Sequence, residues 1–189
     1  VPAIKLNLYQ GQYFETYPYA PGQTFQECLD AGMSSSEIKD VYEMMAYQIK
    51  KMSEIPLHNF RNIENKNCSA VAQSNIVNKK NSWTLGQCVK YGTKLLNAGR
   101  QSVCHCDLTP SNIVLNDDKQ ISSVLDLNAV SIANINFALA IAGLSLQRKK
   151  LNRYEFYSIC DDVLPGRLQP VRLSITEQIC ELYFRGYCK

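Results

Sequence analysis

Three short apolar segments in the middle of the chain, Ser102–Cys104, Ile113–Leu115 and Ile121–Leu125, are too brief for helices and read as strands. Asn116-Asp117-Asp118-Lys119 carries turn residues between the second and third, which makes those two a hairpin. The chain on either side is helical in pattern. Ser34 and Glu37 form a capping box, followed by Ile38, Val41, Tyr42, Met45, Ile49 and Met52 in steps of three and four, with Pro56 ending the run. Thr84 caps a second amphipathic stretch with Leu85, Cys88, Val89, Leu95 and Leu96 on one face and Gly99 past its end.

Further helices are predicted from Thr24 to about Ala31, from about Asn134 to Gln147, and after a second capping box at Ser174-Ile175-Thr176-Glu177. Residues 1–20 read as two strands joined by a turn: Ile4, Leu6 and Leu8 alternate, Gly11 breaks the pattern, and Tyr13–Tyr17 resumes it. Ala20-Pro21-Gly22-Gln23 is a turn, and the Asn-rich stretch from Asn59 to Ser82 is loop or a weak helix near Ala70–Ile76. The result is an α+β chain dominated by helix.

Composition narrows the classes of partner. Of 189 residues, 46% are hydrophobic and 20% charged, as in an ordinary globular protein. Twenty Lys and Arg against 17 Asp and Glu leave a formal charge of +3, too thin and too scattered for a nucleic-acid or membrane footprint. No apolar run approaches the roughly 18 residues that span a bilayer, and the N-terminus lacks the basic and apolar regions of a signal peptide. A cytoplasmic location is the expectation. Eight cysteines, set among apolar residues, then read as reduced small hydrophobes.

The polar residues between the first strand and the hairpin carry the chemistry. His105-Cys106-Asp107-Leu108-Thr109-Pro110-Ser111-Asn112 precedes the hairpin, and the third strand ends in Asp126, 14 residues beyond Asn112. Magnesium takes oxygen ligands, usually one or two carboxylates with phosphates and water, and Asn112 and Asp126 are suited to that set. Asp107 can orient a hydroxyl and accept its proton as it attacks a γ-phosphoryl group. Crowding of Asn and Asp at hairpin ends is the bland alternative, and it is the reading kept for Asp117 and Asp118. A Cys104-His105-Cys106 metal site lacks a second Cys/His pair at zinc-ligand spacing, and Cys106 as a nucleophile lacks an oriented base.

His105-x-Asp107-x4-Asn112 followed by a hairpin and the strand-terminal Asp126 resembles the catalytic and metal loops of the protein-kinase-like fold. Cys106, Pro110 and Leu127-Asn128 are more similar to the aminoglycoside phosphotransferase and choline kinase family than to protein kinases. Leu57-His58 and the Tyr13–Gly22 segment resemble further elements of that family. The resemblance implies an ATP- and Mg²⁺-dependent phosphotransferase acting on a small-molecule hydroxyl, with Asp107 as catalytic base, Asn112 and Asp126 as Mg²⁺ ligands, and His105 bracing the loop. Thr16, Tyr17, Pro18 and Tyr19 would line the adenine hinge.

By the same resemblance, residues 1–20 are the end of a small lobe with its hinge, and residues 21–189 a helical large lobe. No Gly-rich phosphate loop precedes Tyr13, so a small lobe is expected upstream of Val1, or else the chain is a kinase-like binding module without a phosphate clamp. Ser131–Ala140 matches the helix after the metal loop, with Ala138 where the family carries a structural Asp. The 59–82 and 145–173 segments are expected to line the acceptor pocket.

Overall fold

A computed structural model describes residues 5–9, 12–16, 19–60 and 99–187. The helix expected after Thr84 and most of the Asn-rich stretch lie outside these residues. The chain opens on the expected strand pair, β1 (Lys5–Tyr9) and β2 (Gln12–Thr16), antiparallel with Lys5 opposite Thr16 and Tyr9 opposite Gln12. The Pro21-Gly22 turn then leads into β3 (Gln23–Thr24). Gly22 has φ of +132°, and a Cβ there would fall 2.9 Å from the carbonyl carbon of Leu115, so only glycine lets the turn lie against the neighbouring strand.

Capping decides where the next two helices start. Helix α1 (Phe25–Asp30) is closed by Thr24, whose N–H donates to Glu27 Oε2 at 2.7 Å while Glu27 N–H donates to Thr24 Oγ1 at 3.1 Å. Helix α2 (Ser35–Ser53) repeats this at Ser34 and Glu37, as the sequence predicts. Its inner face buries Val41, Tyr42, Met45, Ala46 and Ile49. After Pro56 a single 3-10 turn covers Leu57–Phe60.

The middle of the chain folds as two small sheets. Strands β4 (Gln101–His105), β5 (Ile113–Leu115) and β6 (Ile121–Val124) are close to their expected bounds. β5 joins β3 on one side and β6 on the other, whereas β4 pairs antiparallel with β7 (Val130–Asn134). β7 corrects the expectation that the helix after the metal loop takes in residue 131. Residues 131–134 are extended because they complete the ladder opposite β4, and the helix starts only where Asn134 Oδ1 accepts from Asn136 N–H.

Helix α3 (Ile135–Arg148) is buried along nearly its whole length, α4 (Arg153–Val163) packs against α2, and α5 (Pro170–Tyr187) packs along α3. Sequence reading gives no helix at α4, although Asn152 caps it and Phe156, Tyr157, Ile159 and Cys160 are its buried face. α5 begins four residues before Ser174, with Pro170 in its first position. The expected capping box is therefore helix interior, where Thr176 Oγ1 donates to Arg172 O at 2.6 Å. The core joins α2, α3 and α4, with Tyr42 edge-on to Phe156 at 5.6 Å between centroids. Each such buried aromatic contributes about 1.5–3 kcal/mol over its exposed state. No described helix is long and apolar enough to cross a membrane.

Candidate active site

The loop between β4 and β5 holds itself in shape before any ligand is considered. Thr109 N–H donates to Asp107 O at 2.9 Å, and Asn112 N–H to Thr109 O at 2.9 Å, closing a 3-10 turn that Pro110 opens. Within that turn the Asn112 amide reaches back five residues. Its Nδ2 donates to Asp107 O at 2.8 Å and to Asp107 Oδ2 at 2.9 Å, so the first two expected site residues are in direct contact.

Two bonds tie the loop to the strand end that carries the third. Leu125 N–H donates to Asn112 O at 2.8 Å. His105, buried to 2% exposure, accepts from Asp107 N–H at Nδ1 (3.2 Å), which leaves the ring proton on Nε2 to be donated to Leu125 O at 2.8 Å. One imidazole thus spans the backbone of Asp107 and the residue before Asp126. Asp126 itself is exposed and left-handed, with φ and ψ of 56°, where Asp is among the residues that tolerate this conformation.

Electrostatics at Asp107 follow from this packing. Partial burial raises its carboxyl above the usual carboxylate range, the hydrogen bond from Asn112 opposes the rise, and the nearby Asp126 adds to it. Among the described residues, Asn112 Oδ1 and the Asp126 carboxylate have no hydrogen-bond partner. Such a donor set, amide oxygen plus carboxylate, fits a hard divalent cation. No cluster of three His, Cys, Asp or Glu occurs among the described residues.

The hinge residues are less fully placed. Thr16 ends β2, Tyr19 is 85% exposed, and Tyr17 and Pro18 lie outside the described residues. Cys28 and Cys160 are buried and in no disulfide among the described residues. What sequence reasoning misses is the second wall of the loop. Cys106 N–H donates to Ala129 O at 3.0 Å, and Ala138 is 1% exposed in a small apolar cluster with Cys104 and Ala133, against which Cys106 packs. Alternation of Val130 and Ile132 was the available signal for β7, which builds that wall.

A catalytic-type loop, a hairpin and a strand-terminal Asp set on a helical base define a protein-kinase-like phosphotransferase core. Residues 3–154 match the phosphotransferase enzyme family, and the chain belongs to that family. An aminoglycoside phosphotransferase from Streptomyces rimosus, solved with ADP and streptomycin, superposes with a TM-score of 0.71 at 14% identity over 96% of this chain and 75% of its own. An aminoglycoside 2'-phosphotransferase in its GDP complex gives 0.69 at 13% identity, covering 98% and 67%. A choline kinase from Streptococcus pneumoniae gives 0.66 at 13% identity, covering 97% and 64%. No curated protein matches the chain by sequence.

Proposed function

We propose that the protein transfers the γ-phosphoryl group of a nucleoside triphosphate, ATP by preference, to a hydroxyl of a small molecule. The observation that carries the proposal is the contact between Asn112 and Asp107 beside Asp126, with Asn112 Oδ1 and the Asp126 carboxylate left unpartnered among the described residues. In this reading Asp107 orients the acceptor hydroxyl and takes its proton, and partial burial favours that uptake. Asn112 and Asp126 would hold Mg²⁺, which when bound neutralises charge on the phosphates. His105 keeps Asp107 and the Asp126 strand end in register. The segment 16–20 would meet the nucleotide base, residues 1–20 forming the end of a small lobe and 21–189 the large lobe.

The acceptor is a metabolite or antibiotic of the kind named for the structural neighbours, streptomycin, kanamycin, choline or ethanolamine. The test is turnover of MgATP by the full-length protein against a panel of such hydroxyl compounds. Asp107→Ala is expected to lower turnover about 10²–10⁴-fold, the range for a lost general base. Asp126→Ala is expected to raise the Mg²⁺ concentration needed. Turnover indifferent to both substitutions would refute the assignment.

A further inference from the structure

Cys106 has no role in the chemistry proposed above, yet it adjoins Asp107 and is held from two directions. Its N–H is bound to Ala129 O at 3.0 Å, and its Sγ lies 3.8 Å from Cys104 O. Cys104 Sγ in turn lies 3.7 Å from Ala133 O, across the β4–β7 ladder. Cys104, Ala133 and Ala138 are 2%, 8% and 1% exposed, and Cys106 is partly buried against them. His105 meanwhile binds Leu125 O, on the hairpin rather than on this cluster.

Resting on the reading of Asp107 as the base, we propose that Cys106 is a positioning residue: its side chain seats the loop on the cluster of Cys104, Ala133 and Ala138, the last of them on α3, and the fit of these small groups sets where Asp107 stands. His105 fixes the loop to the Asp126 strand end, and Cys106 fixes it to the helical base. The tie to α3 is steric, because Ala138 offers no polar group. Close-packed small side chains leave no room for an added methylene without displacing a neighbour. Cys106, at the partly exposed edge, is the neighbour able to move, and it would take Asp107 with it.

The test is a size swap in the full-length protein, read by the Asn112 side-chain amide resonance in NMR and by MgATP turnover with water as acceptor. The amide reports the loop directly, since Nδ2 donates to the Asp107 main-chain carbonyl and to its Oδ2. Ala138→Val is expected to shift that resonance and to lower kcat about tenfold or more, with KM for ATP unchanged. Adding Cys106→Ala to Ala138→Val is expected to bring both readouts back toward the parent. The proposal is overturned if Ala138→Val moves neither readout, or if the double variant is no nearer the parent than the single one. Should Ala138→Val fail to fold, Cys106→Val alone and combined with Ala138→Gly makes the same swap from the exposed side and is judged by the same outcomes. Undiminished turnover in Asp107→Ala would remove the base assignment, while the amide resonance would still decide whether Cys106 and Ala138 position the loop.

Discussion

Replacing His105 by Phe keeps a ring of similar size in a site only 2% exposed and removes both nitrogens. Two hydrogen bonds are lost, the one from Asp107 N–H to Nδ1 and the one from Nε2–H to Leu125 O. Each is worth about 1 kcal/mol net, and a buried main-chain group left unpaired costs about 1–3 kcal/mol more. Asp107 is only half-buried and Leu125 is 38% exposed, so water recovers part of that penalty, and the expected total is about 2–4 kcal/mol. Against an ordinary stability of about 5–15 kcal/mol this is a large fraction. Urea unfolding measures it: with a slope of about 2 kcal/mol per molar, the midpoint should fall by roughly 1–2 M. MgATP turnover should fall with it, since the Asp107 backbone loses its tie to the Asp126 strand end. A loss below about 0.5 kcal/mol with turnover unchanged would show that the imidazole bridge carries neither stability nor register, and would refute the reasoning.

Gly143→Ala should destabilise the protein by about 1–3 kcal/mol in urea unfolding despite alanine's better helix propensity, because the new Cβ would lie 2.6 Å or less from the Tyr157 ring, whose hydroxyl is bonded to Glu177 at 2.7 Å. Ser34→Ala should cost about 1 kcal/mol near neutral pH through loss of the α2 cap, visible as a lowered thermal midpoint. Ser34 holds the Glu37 carboxyl below the usual glutamate range, so that contribution is present above the unfolded glutamate pKa and lost as pH falls through the lowered folded value; Glu37→Gln should flatten the acid limb of stability against pH, and an unchanged limb would contradict the capping account. Asp126→Gly should stabilise the fold by about 0.5–1 kcal/mol in the same urea assay while lowering MgATP turnover, since glycine takes the left-handed conformation without a Cβ penalty.

Elements whose signals are local were legible in the sequence. Ser34 with Glu37 fixed the start of α2, Asn116–Lys119 fixed the hairpin, and Asn134 marked the start of α3, because caps and turns depend on neighbours within four residues. The reading failed where long-range pairing outweighs local preference. Residues 131–134 border a strong helix, and only the ladder with β4, some 30 residues earlier, makes them a strand. Ser174-Ile175-Thr176-Glu177 satisfies the capping-box pattern yet lies inside α5, where the Thr176 hydroxyl turns back to Arg172 O instead. α4 was missed for the opposite reason: its Asn152 cap and its Phe156, Tyr157, Ile159 and Cys160 face are ordinary signals in a stretch already assigned to the acceptor pocket. In the candidate site, residue types and spacing gave Asp107, Asn112 and Asp126. The Asn112 and His105 side chains of the motif supply part of what holds them together, but their partners include the backbone of Leu125, and Ala129 adds further backbone bonds, which no side-chain pattern encodes.

Asp126 shows why the site can depart from local preference at all. An acyclic side chain in the left-handed region is held there only when its surroundings over-determine it. Here Leu125 is bonded on both sides, its N–H to Asn112 O and its carbonyl to His105 Nε2, while Ala129 N–H closes the following 3-10 turn on Asp126 O. The backbone on either side of Asp126 is therefore fixed before its carboxylate has any partner. Fixing an exposed carboxylate in this conformation adds nothing to the fold, because it makes no hydrogen bond among the described residues and sits near a second carboxylate, Asp107, which burial raises and Asp126 raises a little further. Under the proposed function that cost has a use: a Mg²⁺ held by Asn112 and Asp126 would lessen the repulsion between the two carboxylates.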